Sequence, residues 1–225
     1  MSIISGQKNS VYRKILERTA ESLSMNNMKP IIAETSSDAL NIVKSLIKEG
    51  ATVASGGSMT LEETGITQLL RSGAYNYLDR AGKTGKEAEA VYRAAFSADV
   101  YLTSSNAITE NGELYNVDGN SNRVAAICYG PESVIVVAGR NKIVSTLNDA
   151  VMRVKRIAAP MNTARLGCET YCMSKGVCMA LAAGYDGMTS GCRSESRICC
   201  SFVVSARQRV KDRIKVILVN EDLGY

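Results

Sequence analysis

Residues 100–119 read VYLTSSNAITENGELYNVDG, and the rest of the chain can be interpreted outward from this stretch. An apolar run opens it, and an acid beside a glycine closes it. Between these ends, apolar residues alternate with small polar ones on both sides of Asn111-Gly112, a pair that tolerates the positive φ of a tight hairpin turn. The pattern predicts two short strands joined at residues 110–112. The polar side chains either take part in binding or catalysis or only form a turn in a sheet, and this stretch alone is compatible with both interpretations.

Short apolar runs alternate with helical patterns on both sides of that stretch. The run SVIVVA at residues 133–138 is uninterrupted and β-branched, which is typical of a buried parallel strand. Alternating strands and helices predict an α/β fold with a largely parallel sheet. We interpret residues 1–225 as a single domain, with an N-terminal helix over residues 9–25 and a cysteine-rich insert over residues 167–200.

Polar groups follow several predicted strands at their carboxyl ends, where open α/β sheets bind their ligands. The turn SGGSMT at residues 55–60 joins a strand to a helix, and its glycines would let the backbone approach a ligand closely. Free N–H groups at a helix start suit a phosphate or carboxylate, although this turn lacks the spacing of a nucleotide-binding loop. Asp79, residues 103–106 and Asn141-Lys142 follow other predicted strands. The sequence therefore predicts an anion site at this edge, with a simple capped turn as the alternative role of the glycines.

The composition argues against several classes of function. Net charge is +5, aromatic residues make up 5% of the chain and tryptophan is absent, so the sequence favours no nucleic-acid partner. No apolar run approaches the roughly 20 residues of a membrane span. The first residues lack the pattern of a secretory signal, which makes the cytoplasm the expected compartment. Because histidine is absent, catalysis would have to use carboxylates, lysine, tyrosine, cysteine or a cofactor.

Six of the seven cysteines lie between Cys168 and Cys200. In a chain without a secretory signal, such clustering points to metal binding before disulfide formation. Without histidine, the site would be all-thiolate, which suits zinc or an iron–sulfur cluster. The alternatives are cysteines that serve as small buried apolar side chains, or a redox-active disulfide.

Four longer motifs carry a resemblance to a known family. They are GGSMTLEETGI at residues 56–66, LTSSNAITENGELYNVDGNSNRVAA at 102–126, GPESVIVVAGRNKIV at 130–144 and VILVNEDLGY at 216–225. Together they resemble the lactate-utilisation (LUD) domain family over nearly the whole chain. The resemblance implies a twisted α/β sheet with flanking helices, similar to the sugar-phosphate isomerase and CoA-transferase superfamily. Some relatives take part in bacterial oxidation of lactate beside iron–sulfur partner proteins.

The resemblance also implies a ligand set. Small LUD proteins carry four cysteines near the C-terminus, spaced about as C-x5-C-x2-C-x6-C. Here the spacing from Cys172 to Cys178 matches the first half of this pattern, and the spacing from Cys192 to Cys199 matches the second half. The two halves are separated by thirteen residues in this sequence, in place of two. The pattern thus predicts that these four cysteines hold a [4Fe–4S] cluster, with zinc as the alternative. The other two cysteines of the segment fall outside the pattern.

Candidate catalytic residues come from the same motifs. Glu110-Asn111-Gly112 is similar in letters to the tripeptide that carries the nucleophilic glutamate of CoA transferases, so Glu110 is a candidate nucleophile or general base. The predicted catalytic residues are Glu110, Asn106 and Asp118. The predicted substrate-binding residues are Gly57, Ser58, Thr60, Asn116, Arg123, Asn141 and Lys142.

Three functional hypotheses follow from the residues and the resemblance together. The first is redox chemistry on a small hydroxy- or oxo-acid, in which the cluster passes electrons to a protein partner. The second is a non-redox isomerase or transferase that acts on a phosphorylated or acyl substrate and carries structural zinc. The third is a non-catalytic subunit of an iron–sulfur dehydrogenase. A homodimer is compatible with all three.

Overall fold

The structure is a computed structural model that describes residues 3–225. Within these residues ten strands form two sheets. In chain order the strands are β1 (Lys29–Ala33), β2 (Thr52–Ser55), β3 (Asn76–Tyr77), β4 (Val100–Thr103), β5 (Ala107–Thr109), β6 (Leu114–Asp118), β7 (Ser133–Gly139), β8 (Ile143–Val144), β9 (Ser201–Ser205) and β10 (Ile214–Val219).

The larger sheet has six strands in the order β1-β10-β7-β4-β2-β3, and all of its pairs are parallel. Its centre is the predicted SVIVVA run, where Val136 pairs with Val216 of β10. Alternate residues of β7 enter two different apolar clusters, Val134 and Val136 on one face and Ile135 and Val137 on the other. Burial on both faces explains why this strand is continuously apolar.

Helices cover the strands, which confirms the predicted α/β fold class. They are α1 (Ile3–Met25), α2 (Ser36–Leu46), α3 (Met59–Glu63), α4 (Ile66–Leu70), α5 (Gly85–Ala94), α6 (Asn122–Cys128), α7 (Leu147–Arg153), α8 (Ala159–Leu166), α9 (Tyr171–Lys175) and α10 (Met179–Ala182). The predicted N-terminal helix over residues 9–25 lies within α1, whose Leu16 and Leu23 are buried in the first cluster. None of the helices in residues 3–225 combines the length and the apolar character that crossing a membrane requires.

The second sheet contains the predicted hairpin. Strands β5 and β6 pair antiparallel, and the order of the sheet is β8-β5-β6-β9. The hairpin turn needs glycine at Gly112 for two reasons, a φ of +80° and a close approach to α1. A Cβ added there would lie 2.7 Å from the backbone nitrogen of Leu23. The tip of the hairpin is therefore seated against the N-terminal helix.

A π-helical segment, Val154–Ala158, connects α7 to α8. Such segments are rare and often occur at functional sites, because they re-aim side chains within a helix. Helix α7 begins with a capping box in which the Thr146 side chain accepts a hydrogen bond from the Asp149 backbone. Helix α7, this segment and α8 thus follow one another without a break in the helical backbone.

Candidate functional site

A cavity of about 500 Å³ opens at the carboxyl ends of β2, β4 and β7. Its wall includes the glycine turn after β2, residues 103–106 after β4, and Lys142 in the 3₁₀ turn Arg140–Lys142 that follows β7. Residues of α8 and of the cysteine-rich segment close the opposite side. The cavity thus lies where parallel sheets generally bind ligands, as the sequence predicted for an anion site.

The cavity is strongly positive. Five cationic side chains line it, against two carboxylates, Asp118 and Glu195. The cations are Arg80, Arg123, Lys142, Arg165 and Arg197. Positive charge in a concave, partly desolvated site attracts anions and holds them more strongly than an exposed surface does. The arrangement suits a small ligand with one or more negative charges.

Arg123 organises the floor of this cavity. Its Nε donates to Asp118 Oδ1 at 2.8 Å, and its two terminal nitrogens donate to the amide oxygens of Asn116 at 2.6 Å and Asn106 at 2.8 Å. The carbonyls of Ser104 and Val117 accept the remaining two N–H groups. Since all five N–H groups already have protein acceptors, Arg123 fixes the loops around it rather than offering a free fork to a ligand.

Asp118 and Asn116 belong to the same buried network. The second carboxylate oxygen of Asp118 accepts the Val124 N–H near the start of α6, at 2.9 Å. Asn116 is 1% exposed, and its Nδ2 has no hydrogen-bond partner among the described residues. Three of the polar side chains in residues 104–118, those of Asn106, Asn116 and Asp118, thus accept from this one arginine.

Lys142 is a different kind of cation. It is 4% exposed, and its Nζ donates to Thr60 Oγ1 at 2.8 Å and to Ser104 Oγ at 2.9 Å. Burial and the nearby charges of Arg153 and Arg123 lower the pKa of Lys142 to about 7, although Glu63 opposes the shift. Within residues 3–225 no carboxylate forms an ion pair with this amine.

Arg80 and Arg165 are the arginines best placed to hold an anion. The Arg80 guanidinium covers Gly57, where an added Cβ would lie 2.5 Å from its terminal nitrogen, and it stacks against Tyr92 at 6.0 Å from the ring centroid. Arg165 donates to Asn162 and to the Tyr225 hydroxyl. Neither pairs with a carboxylate in the part of the chain that the structure describes. Both therefore keep an uncompensated charge beside the cavity.

The structure brings most of the predicted site residues together. Gly57, Ser58, Asn106, Asp118, Arg123 and Lys142 line the cavity. Thr60 contacts it through Lys142, and Asn116 through Arg123. Asn141 instead fixes the end of the chain, because its side chain donates to the Gly224 carbonyl and accepts from the Leu223 N–H.

Glu110 lies outside the cavity. Its carboxylate accepts a hydrogen bond from Arg18 of α1 at 2.9 Å, at the tip of the hairpin. The similarity to the CoA-transferase tripeptide therefore falls on a turn that packs against a helix, and the catalytic role of Glu110 stays a prediction without a neighbouring ligand site. Sequence patterns also missed Arg165, Arg197 and Tyr225, which come from distant parts of the chain.

A second cavity adjoins the first. The four cysteines predicted as ligands, Cys172, Cys178, Cys192 and Cys199, all line it, and all are free thiols. Cys199 lines both cavities, together with its neighbours Arg197 and Ile198. Burial, followed by the charges of the other cysteines, raises the pKa of Cys199 to about 12. The four thiols thus share one space next to the anion site.

The donor set in this second cavity can be compared with the groups predicted for it. Within residues 3–225 no three Cys, Asp or Glu side chains are grouped closely enough to hold a single metal ion. A tetrahedral zinc needs its sulfurs at about 2.3 Å from one point. A four-iron cluster binds each thiolate through a different iron and therefore needs a wider arrangement. Four thiols around one cavity supply the donor atoms that either group requires.

Cationic side chains fix the loop that carries these thiols. Arg197 donates to the carbonyls of Thr189, Cys192 and Cys199 at 2.8–2.9 Å. Lys155 of the π-helical segment donates to the Ser190 carbonyl. Burial and the neighbouring cysteines raise the pKa of Cys199 and outweigh the charge of Arg197, which lowers it. Of these two side chains, Arg197 also borders the positive cavity, whereas Lys155 lines the second cavity.

Comparisons with known proteins agree with this fold. The model of the LUD domain family matches residues 16–219. A DUF162 family protein from Deinococcus radiodurans has a similar structure, with a TM-score of 0.50, 14% identity, and coverage of 92% of this chain and 98% of that one.

Two isomerases give weaker structural matches. Ribose 5-phosphate isomerase from Plasmodium falciparum gives a TM-score of 0.30 at 16% identity, over 48% of this chain and 51% of that one. Ribose 5-phosphate isomerase A from Neisseria gonorrhoeae gives a TM-score of 0.34 at 14% identity, over 69% of this chain and 66% of that one. No curated protein matches the chain. Because the family model spans most of the sequence, the chain belongs to the LUD domain family.

Proposed function

We propose that this chain is a cytoplasmic metabolic protein that carries out redox chemistry on a small hydroxy- or oxo-acid, with a [4Fe–4S] cluster held by Cys172, Cys178, Cys192 and Cys199. The observation that carries the proposal is the wall shared by the two cavities. Cys199 borders both the positive cavity and the space lined by the other three thiols. A ligand in the first cavity would thus lie next to the group in the second.

The positive cavity supports the substrate class. A hydroxy- or oxo-acid has a carboxylate, which suits the uncompensated guanidinium of Arg80 or Arg165. The cavity volume of about 500 Å³ is within the range of small-molecule sites. Polar groups after β4 would orient the hydroxyl or carbonyl group of the substrate.

The thiols support the cofactor. When bound, a [4Fe–4S] cluster supplies one-electron acceptance and release. The residues of this chain would hold it through the four thiols, while Arg197 fixes the carbonyls of the loop around them. Seven free cysteines also fit a reducing compartment better than an oxidising one.

A protein acceptor is the expected partner. Met173 on α9 and Met179 on α10 are exposed, and each of these short helices adjoins one of the four cysteines. Exposed apolar side chains that form one contiguous patch mark protein docking surfaces. Electrons taken from the substrate would leave through this side of the molecule.

The test is metal and acid-labile sulfide analysis with a visible spectrum on protein purified without oxygen. We expect about four irons and four sulfides per chain and a brown sample. Addition of lactate as the hydroxy-acid probe should bleach the visible band, because each lactate would give its two electrons to the clusters of two chains. Stoichiometric zinc, or no metal at all, would overturn the cofactor assignment.

Two cysteine variants sharpen this test. Cys178→Ser removes a predicted ligand and should lower the iron content severalfold. Cys128→Ser changes an exposed thiol on α6, outside the four-cysteine cavity, and should leave it unchanged. Equal iron in the two variants would show that the thiols around the second cavity are not the ligands.

A further inference from the structure

Lys142 is a buried amine at the wall of the anion cavity that the proposed redox chemistry does not use. Its Nζ makes hydrogen bonds to two hydroxyls, Thr60 Oγ1 and Ser104 Oγ. A tetrahedral amine bonded to its own Cε and to two oxygens has one direction left. Since Lys142 lines the cavity, that direction is the one available to a ligand.

The charges around Lys142 disfavour its ammonium form. Arg153 is 7% exposed and donates to the carbonyl of Asn141, the residue before Lys142, and to that of Asn106. Arg123 acts on the amine from α6, and Glu63 of α3 is the carboxylate that opposes these two cations. A desolvated lysine next to other cations is the arrangement that produces a nucleophilic amine near neutral pH.

We propose that Lys142 is a nucleophile that forms an imine with the carbonyl carbon of a small 2-oxo acid bound in the positive cavity. The inference rests on the proposed function in one respect, the binding of an oxo acid at this site. It does not require the cluster, because no electrons are transferred in the step.

The step balances without a co-reactant. The Nζ lone pair attacks the carbonyl carbon and forms the N–C bond, while the carbonyl oxygen takes up a proton. Loss of a proton from nitrogen gives the carbinolamine. Its hydroxyl then takes up a second proton and leaves as water while the nitrogen lone pair forms the C=N bond, which gives the protonated imine that cyanoborohydride reduces. The hydroxyls of Thr60 and Ser104 lie within hydrogen-bond distance of Nζ and can relay these protons. The carboxylate of the oxo acid would face the arginines of the cavity.

Reductive trapping tests the proposal. Protein is incubated with pyruvate or glyoxylate and sodium cyanoborohydride, and the modified lysine is located by peptide mass mapping. We expect one adduct per chain, at Lys142, exceeding that on any other lysine by at least about tenfold at pH 7.5, because its amine is largely neutral there.

Lys215 is the matched control. Burial and the nearby Lys29 also lower its pKa, but it lies on β10 and does not line the cavity. An equal adduct on Lys215, or scattered labelling of exposed lysines, would mean that labelling does not depend on the cavity, and the proposal would fail. No adduct at Lys142 would also overturn it.

Two variants separate this proposal from the redox one. Lys142→Met should remove the adduct, and Ser104→Ala should slow its formation severalfold. Trapping is repeated with Cys178→Ser, which should still form the adduct if the amine acts without the cluster. An adduct in wild-type protein that contains no iron after purification without oxygen would support the amine and refute the cofactor, while iron in the wild type without an adduct would do the reverse. Wild-type labelling decides the question even if a variant fails to fold.

Discussion

At the scale of one residue, the free-energy cost of burying the Lys142 ammonium group depends on pH. Its pKa is about 7 in the folded protein and near 10.5 in the unfolded chain. Between these values the unfolded state binds more protons, so the free energy of unfolding should rise with pH. Below pH 7 the full cost of burying the ammonium is present, and above about pH 10.5 it is gone.

Comparison with the Lys142→Met variant isolates the contribution of this amine to the pH dependence of stability, because the contributions of the other titrating groups are the same in both proteins. We expect the stability of the wild-type protein, relative to the variant, to increase by several kcal/mol from pH 7 to pH 10. Urea unfolding of both proteins across this range measures the difference. Parallel curves would show that the amine titrates at its ordinary pKa.

Arg123 is a second residue whose contribution to the free energy of unfolding can be predicted. It pairs with Asp118 while both side chains are largely buried, 14% and 8% exposed. Arg123→Met should lower the free energy of unfolding by about 3–5 kcal/mol, because it leaves a buried carboxylate without its partner. Adding Asp118→Asn to that variant should recover part of the loss.

An exposed pair provides the control for the Arg123 prediction. Arg71 donates to Asp79 at 2.7 Å, yet its side chain is 45% exposed. Arg71→Met should cost less than about 1 kcal/mol by the same urea measurement. Similar losses in the two single variants would contradict the view that burial, and not pairing alone, makes Arg123 important.

At the scale of elements, the hairpin and α1 hold one another in place. Gly112→Ala adds a Cβ 2.7 Å from the α1 backbone at a φ of +80°. Gly82→Ala meets nothing within 4 Å at a similar φ of +72°. The Gly82 variant should lose about 1–2 kcal/mol for the backbone conformation alone, and the Gly112 variant clearly more. Thermal unfolding of both variants measures the two losses of stability. Equal losses would show that the contact between the hairpin and α1 does not contribute.

Elements that depend on local pattern could be predicted from the sequence. The run at residues 133–138 is buried on both faces, and the chain turns at Gly112 with a positive φ, whereas Asn111 does not adopt one. The π-helical segment could not be predicted, because nothing in VKRIA differs from an ordinary helix. Its geometry depends on what the neighbouring turns pack against.

The anion cavity was predictable only in part for the same reason. The residues after β2, β4 and β7 meet because parallel strands end at one edge, which sequence order already implies. Arg165 and Arg197 reach that edge from α8 and the cysteine-rich segment, where no periodicity gives their direction. The motif around Glu110 lies instead on a turn that faces α1, where Arg18 donates to the carboxylate, and the catalytic role of Glu110 stays a prediction.

At the scale of the whole molecule, the sheet and the cysteine-rich segment differ in how they are stabilised. The central strands are almost entirely buried, whereas Thr170 and Ala180 are the buried residues within 168–200. Segments with few buried contacts open locally at low free energy. We therefore expect the amides of residues 168–200 to exchange hydrogen much faster than those of β7 and β10 in metal-free protein.

Arg197 is the side chain that should control this opening, because its three hydrogen bonds all go to carbonyls of the segment. Arg197→Gln should speed exchange over residues 186–200 by about tenfold or more and leave β7 unchanged. Arg193→Gln alters an exposed arginine of the same segment and should have little effect. Faster exchange throughout the main sheet would instead make Arg197 part of the global fold. A local effect would mean that one arginine joins the wall of the anion cavity to the loop of thiols, so that occupancy of either cavity stabilises the other.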